Sequence, residues 1–358
     1  MEKELPKVID LFCGAGGMSL GFQQAGFEIA AGFDFDEKSI ETYNFNFNKK
    51  GHCIDLKNVN GEKIRELANL EVDEECIVIG GPPCQGFSLV NGKRNGTEKN
   101  QLIIQAAELI SEIKPTFFVI ENVPTATNIE GGQPYQKFEK TLKKSYKFES
   151  KILNSVEFGV PQKRRRLFVI GNNTNLQIEF PTGNPELQIT VEEAISDLPE
   201  LDWKIEGNNP TDYNGEPVND YQKLMREIAP EKLWNHIITV SSEKIIERYR
   251  QIKQGESYKD VHETITGEKI KVNYSNVYRR FKAHEPATTI ANPRKSMYIH
   301  YSQDRGLSVR EAARLQSFPD SFIFQSTKSY QQQQVANAVP PLLIKSIANV
   351  ILQTFYKS

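Results

Sequence analysis

The chain has 358 residues, 38% of them hydrophobic, and a formal net charge of −2. That length suits one large domain with a smaller one, or two of ordinary size. No stretch approaches the roughly 18 apolar residues of a membrane span, and Met1-Glu2-Lys3-Glu4-Leu5 opens no secretory segment, so a soluble intracellular protein is expected. Near-neutral charge excludes a global attraction to polyanions. Cys13, Cys53, Cys76 and Cys84 show no C-x-x-C spacing, which argues against a disulfide framework and against a structural zinc site; no metal is expected.

The first half alternates short apolar runs with helical patterns, which predicts an α/β fold on a parallel sheet. Strands are expected at 8–12, 28–33, 53–55, 77–80, 117–121 and 167–171, with helices at 37–47 and 102–113. Asp10-Leu11-Phe12-Cys13-Gly14-Ala15-Gly16-Gly17 falls where the first strand turns into the first helix. Glycines there let a ligand approach the backbone, and the helix start supplies free N–H groups. Asp34 ends the second strand about 20 residues later, where an acid can take ribose hydroxyls. Ser19 stands where a dinucleotide fingerprint has its third glycine. An adenosine cofactor without a pyrophosphate fits this better than NAD, and S-adenosylmethionine is the candidate. A purely structural tight turn is the plain alternative.

The run Cys76-Ile77-Val78-Ile79 reads as a buried strand, stopped by Gly80-Gly81-Pro82-Pro83 before Cys84-Gln85-Gly86-Phe87-Ser88. A cysteine at the carboxyl end of a strand is placed for nucleophilic chemistry; the alternative is a buried structural thiol. The segment 86–96, with Asn91-Gly92 and Asn95-Gly96, reads as a mobile loop able to close over a bound substrate. Further on, Lys163-Arg164-Arg165-Arg166, Arg279-Arg280, Arg294-Lys295 and the trio Arg305, Arg310 and Arg314 form local basic clusters, sufficient for phosphate contacts even on a near-neutral protein; solvated surface charges are the alternative.

From about Asn172 the alternation ends and Gly/Asn/Pro clusters multiply. The expected division is a larger α/β domain, 1–195, completed by 329–358, and a second, less regular domain, 196–328. Leu342, Leu343, Ile347, Val350 and Ile351 give 339–355 a helical apolar face that needs the first domain's core. Ser308 and Glu311 have capping-box spacing and open a helix through Leu315 that reads as structural support.

Taken in order, these motifs resemble the cytosine-C5 DNA methyltransferases over nearly the whole chain. Pro83-Cys84-Gln85 is similar to that family's nucleophile loop and Phe118-Val119-Ile120-Glu121-Asn122-Val123 to its Glu-Asn-Val motif. Gly159 to Arg166 resembles its Gln-x-Arg-x-Arg stretch, and Gln334 to Pro340 its closing Gln-x-Gly-Asn-Ala-Val-Pro, with Ala336 in place of the glycine. The resemblance implies a Rossmann-like S-adenosylmethionine-dependent catalytic and cofactor-binding domain, 1–195 with 329–358, and a smaller irregular target-recognition domain, 196–328. Phe12, Gly14 and Gly17 would line the methionine and adenosine pocket, and Asp34, where the family commonly has Glu, would hold the ribose. Phe35 would lie beside the adenine and Asp55 would accept from its amino group. Pro83, Leu102 and Asn337 would close the pocket.

The catalytic residues implied are Cys84, Glu121, Arg164 and Arg166, with Gln85, Ser88, Asn122, Val123 and Gln162 at the substrate. Thiolate addition at C6 turns C5 of cytosine into an enamine carbon able to attack a methyl sulfonium. Arg164 and Arg166 would favour the thiolate or hold the base and its phosphate. Glu121 would supply a proton at N3 and so should have a raised pKa. The expected function is therefore a DNA (cytosine-5-)-methyltransferase acting as a monomer on double-stranded DNA, the modification half of a restriction system with a separate endonuclease. A tRNA cytosine-C5 methyltransferase and a catalytically silent DNA-binding regulator are the alternatives.

Overall fold

A computed structural model describes residues 4–83, 101–174, 176–267, 277–291 and 298–357. Contacts divide the chain into two units: Met1–Asn154, Arg165–Gly183 and Pro341–Ser358 form the first, Ser155–Arg164 and Asn184–Pro340 the second. This differs from the sequence expectation in assigning 155–164, 184–195 and 329–340 to the second unit.

The first unit is built on seven strands: β1 Lys7–Leu11, β2 Ile29–Asp34, β3 Gly51–Cys53, β4 Cys76–Gly80, β5 Phe117–Asn122, β6 Lys147–Asn154 and β7 Arg165–Asn172. Their order across the sheet is β3-β2-β1-β4-β5-β7-β6. The first five run parallel, and β7 is antiparallel to both of its neighbours. Strand order reverses between β1 and β4, the point at which open α/β sheets bind ligands beyond the strands' carboxyl ends. Register brings those ends level, with Leu11 beside both Phe33 and Gly80, and Gly80 beside Ile120. The glycine turn after β1 and the Gly81-Pro82-Pro83 segment after β4 therefore leave the same edge.

Every residue of β4 is buried, as expected for a parallel strand covered on both faces. Helices α1 Gly17–Gln24, α2 Glu37–Asn46, α3 Gly61–Leu67, α4 Gln101–Ile113 and α5 Gln133–Leu142 supply the cover. In α4, Ile103, Ala106, Ala107, Ile110 and Ile113 face inward at three- and four-residue spacing. The C-terminal helix Pro341–Tyr356 packs against α1. Gly21 makes that approach possible, because a Cβ there would lie 2.5 Å from Ile344 Cβ.

The second unit has short helices and two parallel strand pairs, Gln162–Lys163 with Ala287–Thr288 and Arg279–Arg280 with Tyr298–Ile299. Its interior corrects one sequence expectation. Arg305, Arg310 and Arg314 are buried and face no phosphate-accessible surface. Arg305 forms a bidentate pair with Glu311, and Arg314 bridges Asp197 and Asp320. Arg310 donates to the Trp234, Pro319 and Phe322 carbonyls. Charges withdrawn from water must be paired, and here they tie helix Val309–Leu315 to its surroundings. The capping box expected at Ser308 and Glu311 is present. Among the described residues no single helix is long and apolar enough to cross a membrane.

Candidate active site

The glycine turn begins with Phe12 at φ 59 and Gly14 at φ 52, both left-handed; for Phe12 this is backbone strain of the kind that gathers at functional sites. Among the described residues a Cβ on Gly14 would meet nothing within 4 Å, so none of them closes the turn from above. The Gly14 N–H donates to Asp34 Oδ2 at 2.9 Å, and the Asp36 N–H to Asp34 Oδ1 at 2.9 Å. Asp34 thus fixes the turn from the end of β2, with lone-pair capacity left on its carboxylate. Burial raises its pKa, against the pull of these N–H bonds. Phe35, next along the chain, is 70% exposed. Asp55 is exposed and caps the short turn Leu56–Asn58 through the Lys57 N–H. An open glycine turn, a free aromatic face and two acids with acceptor capacity fit an adenosyl group. Gly17 starts α1, and Leu102, half-buried, lies in the first turn of α4.

At the next strand ends, Glu121 Oε1 lies 2.9 Å from Arg166 Nε, with side chains 12% and 15% exposed. The antiparallel register explains the meeting, since Glu121 sits opposite Phe168 and Asn122 opposite Leu167, which brings the start of β7 to the end of β5. A Cβ on Gly81 would come within 3.3 Å of Glu121 Oε2. Asn122, buried, donates from Nδ2 to the Pro82 carbonyl at 3.3 Å and accepts the Val123 N–H at its Oδ1. The end of β5 thereby holds the segment that leads into Cys84. Pro83 is half-buried. Cys84, Gln85 and Ser88, and the segment 86–96, lie outside the described residues.

The other predicted residues are in the second unit. Gln162 is fully buried; its amide donates to the Leu315 carbonyl and accepts the Ile290 N–H. Arg164, 3% exposed, donates to the Ile290 and Ala336 carbonyls at 3.4 Å. Asn337 is the exposed last residue of helix Lys328–Asn337 and accepts from Gln333 Nε2.

The model of the C-5 cytosine-specific DNA methylases matches residues 6–353. The chain belongs to that family. It is accordingly a DNA (cytosine-5-)-methyltransferase with the Rossmann-like fold of methyl-donor-dependent enzymes. Type II methyltransferase M1.HphI of Haemophilus parahaemolyticus is 34% identical over 96% of this chain and 86% of its own length. M.DdeI of Desulfomicrobium norvegicum is 33% identical, over 96% and 88%. Among solved structures, a protein described as a DNA modification methyltransferase encoded within an E. coli prophage superposes with a TM-score of 0.83 at 26% identity, covering 98% of this chain and 100% of that one.

Sequence reasoning about this methylase missed the Asp34 bonds to the glycine turn and the direct pairing of Glu121 with Arg166. The second was within reach, because an antiparallel partner for β5 would have brought the two motifs together. Also missed was a buried polar chain beneath the turn, Asp10–Ser19–Tyr43, for which no local pattern is diagnostic.

Proposed function

We propose that this methylase transfers a methyl group from S-adenosylmethionine to C5 of a cytosine turned out of a specific duplex sequence. It would act as a monomer in the cytoplasm, as the modification enzyme of a restriction system whose endonuclease is a separate protein. Relatives described as type II methyltransferases support that setting. The observation that carries the chemical reading is Glu121, beside the segment leading to Cys84 and anchored by Arg166.

In this reading the Cys84 thiolate adds to C6, which breaks the ring's conjugation and makes C5 nucleophilic; after methyl transfer a base takes the C5 proton and elimination of the Cys84 thiolate restores the ring. The cofactor, when bound, supplies the electrophilic methyl group. Glu121 meets the charge developing at N3 with a proton. Arg166 orients the carboxyl group and offsets negative charge beside it. Asn122 keeps the Pro82 carbonyl, and so the start of the Cys84 loop, in place, with Gln85, Ser88 and Val123 around the base. Asp34 and Asp55 accept from the ribose and the adenine, Phe35 stacks on the adenine, and Phe12, Gly14 and Gly17 shape the floor. Gln162 and Arg164 support the recognition unit by fixing the turn at Ile290. Turning the base out costs a few kcal/mol, recovered in contacts with DNA.

The test is bisulfite sequencing of plasmid DNA from cells expressing the protein, with Cys84→Ser alongside. Protected cytosines in one short context, absent with the variant, are expected. Soluble protein that leaves duplex DNA unprotected, or a variant that protects as well as the wild type, would overturn the reading.

A further inference from the structure

Beneath the glycine turn lies a polar chain that none of these roles uses. Asp10, on β1, is 1% exposed. The hydroxyl of Ser19, in the first turn of α1, donates to Asp10 Oδ2 at 2.7 Å. With its only proton so placed, Ser19 must accept from the Tyr43 hydroxyl of α2, 2.8 Å away. Tyr43 is fully buried, and a Cβ on Gly32 would lie 2.5 Å from its oxygen. The chain therefore links β1, α1 and α2 around the turn from Phe12 to Gly16. The other oxygen, Asp10 Oδ1, is buried without a hydrogen-bond partner. Among the described residues, the groups that bear on this carboxyl are Ser19, Tyr43, Cys13 and Asp34, and none of them is a cation. Burial, reinforced by Asp34, pushes its pKa up to about 7. A proton thus sits on or leaves Asp10 near neutrality, under the backbone that Asp34 fixes for the cofactor.

We propose that Asp10 senses cofactor charge: it is ionised when a cationic methyl donor occupies the turn and protonated when the turn holds the demethylated product. The inference rests on S-adenosylmethionine as the donor. That molecule carries a sulfonium, an ammonium and one carboxylate, a net positive charge, whereas the thioether product has no sulfonium and is net neutral. A cation above the turn favours the carboxylate. Binding of the donor to the protonated form then releases the Asp10 proton to solvent. By linkage, ionised Asp10 binds the donor more tightly, while its hold on the product changes little. After transfer the site regains a proton and no longer favours what it holds, which speeds exchange of product for donor.

The test uses full-length protein without DNA. Calorimetry in buffers of differing ionisation enthalpy counts protons on binding S-adenosylmethionine and S-adenosylhomocysteine between about pH 5.5 and 7.5. Proton release is expected with the first and little with the second, and the affinity ratio should favour the donor by about tenfold more at the upper pH. Asp10→Asn should bind both ligands with a flatter ratio and less release; comparison with it removes the ligand's own amine titration. Ser19→Ala loses a bond that favours the ionised form, so the midpoint of the ratio should move to higher pH. A wild-type ratio that does not change with pH overturns the proposal, as does release undiminished in Asp10→Asn or a midpoint unmoved in Ser19→Ala. Failure of both ligands to bind would instead remove the cofactor reading itself.

Discussion

Arg166 reaches Glu121 through its Nε, with one terminal nitrogen turned back to the Arg165 carbonyl. That geometry needs a guanidinium, because a lysine ammonium cannot offer two fixed, divergent donors. The Arg166→Lys variant should lower the single-turnover rate about ten- to hundredfold, the worth of a charge-assisted hydrogen bond, with cofactor affinity changed little. An unchanged rate would mean that the pair is structural only. Arg164, two positions earlier, donates from its two terminal nitrogens to the carbonyls of Ile290 and Ala336. The sequence motif marked both arginines as equals. It could not say that successive same-side residues at a strand's start would reach different partners, since that depends on where Ile290 and Ala336 return, more than 120 residues later in the chain. Asp34 is a similar case: its position was readable, but its grip on Gly14 required the level register of β1 and β2.

At the scale of elements, the buried parallel strands were readable because both faces are covered, which leaves an apolar run of four or five residues. β6 was not. Its sequence Lys-Phe-Glu-Ser-Lys-Ile-Leu-Asn is mostly exposed and sits at the sheet's edge, so it carries neither an apolar run nor a strict alternation. Edge strands often take charged residues that discourage further pairing. The C-terminal helix was readable from its apolar face, but its closeness to α1 depends on one glycine. Gly→Ala inside a helix ordinarily adds up to about 1 kcal/mol of stability. At Gly21 the added methyl would meet Ile344 and the Pro341 carbonyl, so Gly21→Ala should instead destabilise by about 1–3 kcal/mol through overpacking. Urea unfolding followed by circular dichroism would show it, and a stabilised variant would mean that the two helices do not pack this closely.

At the scale of the whole molecule, the two units respond to acid through different groups. In the second unit His300 and His236 are buried and neutral. His300 Nδ1 accepts the Ser302 and Gln303 N–H groups at 3.2 Å, and burial pushes its pKa down to about 3. Burial also lowers that of His236, whose ring bridges the Pro199 carbonyl and the Ser308 hydroxyl. Burial alone would raise Glu311, but Arg305 outweighs it and holds that carboxylate well below the usual range. Between about pH 6.5, the ordinary histidine value, and pH 3, the unfolded chain therefore binds a proton at the His300 imidazole that the folded unit refuses, and His236 acts in the same direction. More protons on the unfolded side mean that stability falls as pH falls, by about 1.4 kcal/mol per pH unit for His300. Asp10, in the first unit, has the opposite sign: its raised pKa contributes stability in acid that is lost as pH rises through about 7. The chain has two tryptophans, Trp203 and Trp234, and both belong to the second unit. Their fluorescence therefore reports directly on that unit. His300→Asn places an amide oxygen where Nδ1 accepted and removes one titrating group. Its unfolding midpoint in urea, followed by tryptophan fluorescence between pH 6.5 and 4, should fall less steeply than the wild type's. Parallel curves would mean that His300 takes up its proton without leaving the folded state, and that the bonds from Ser302 and Gln303 do not hold it neutral.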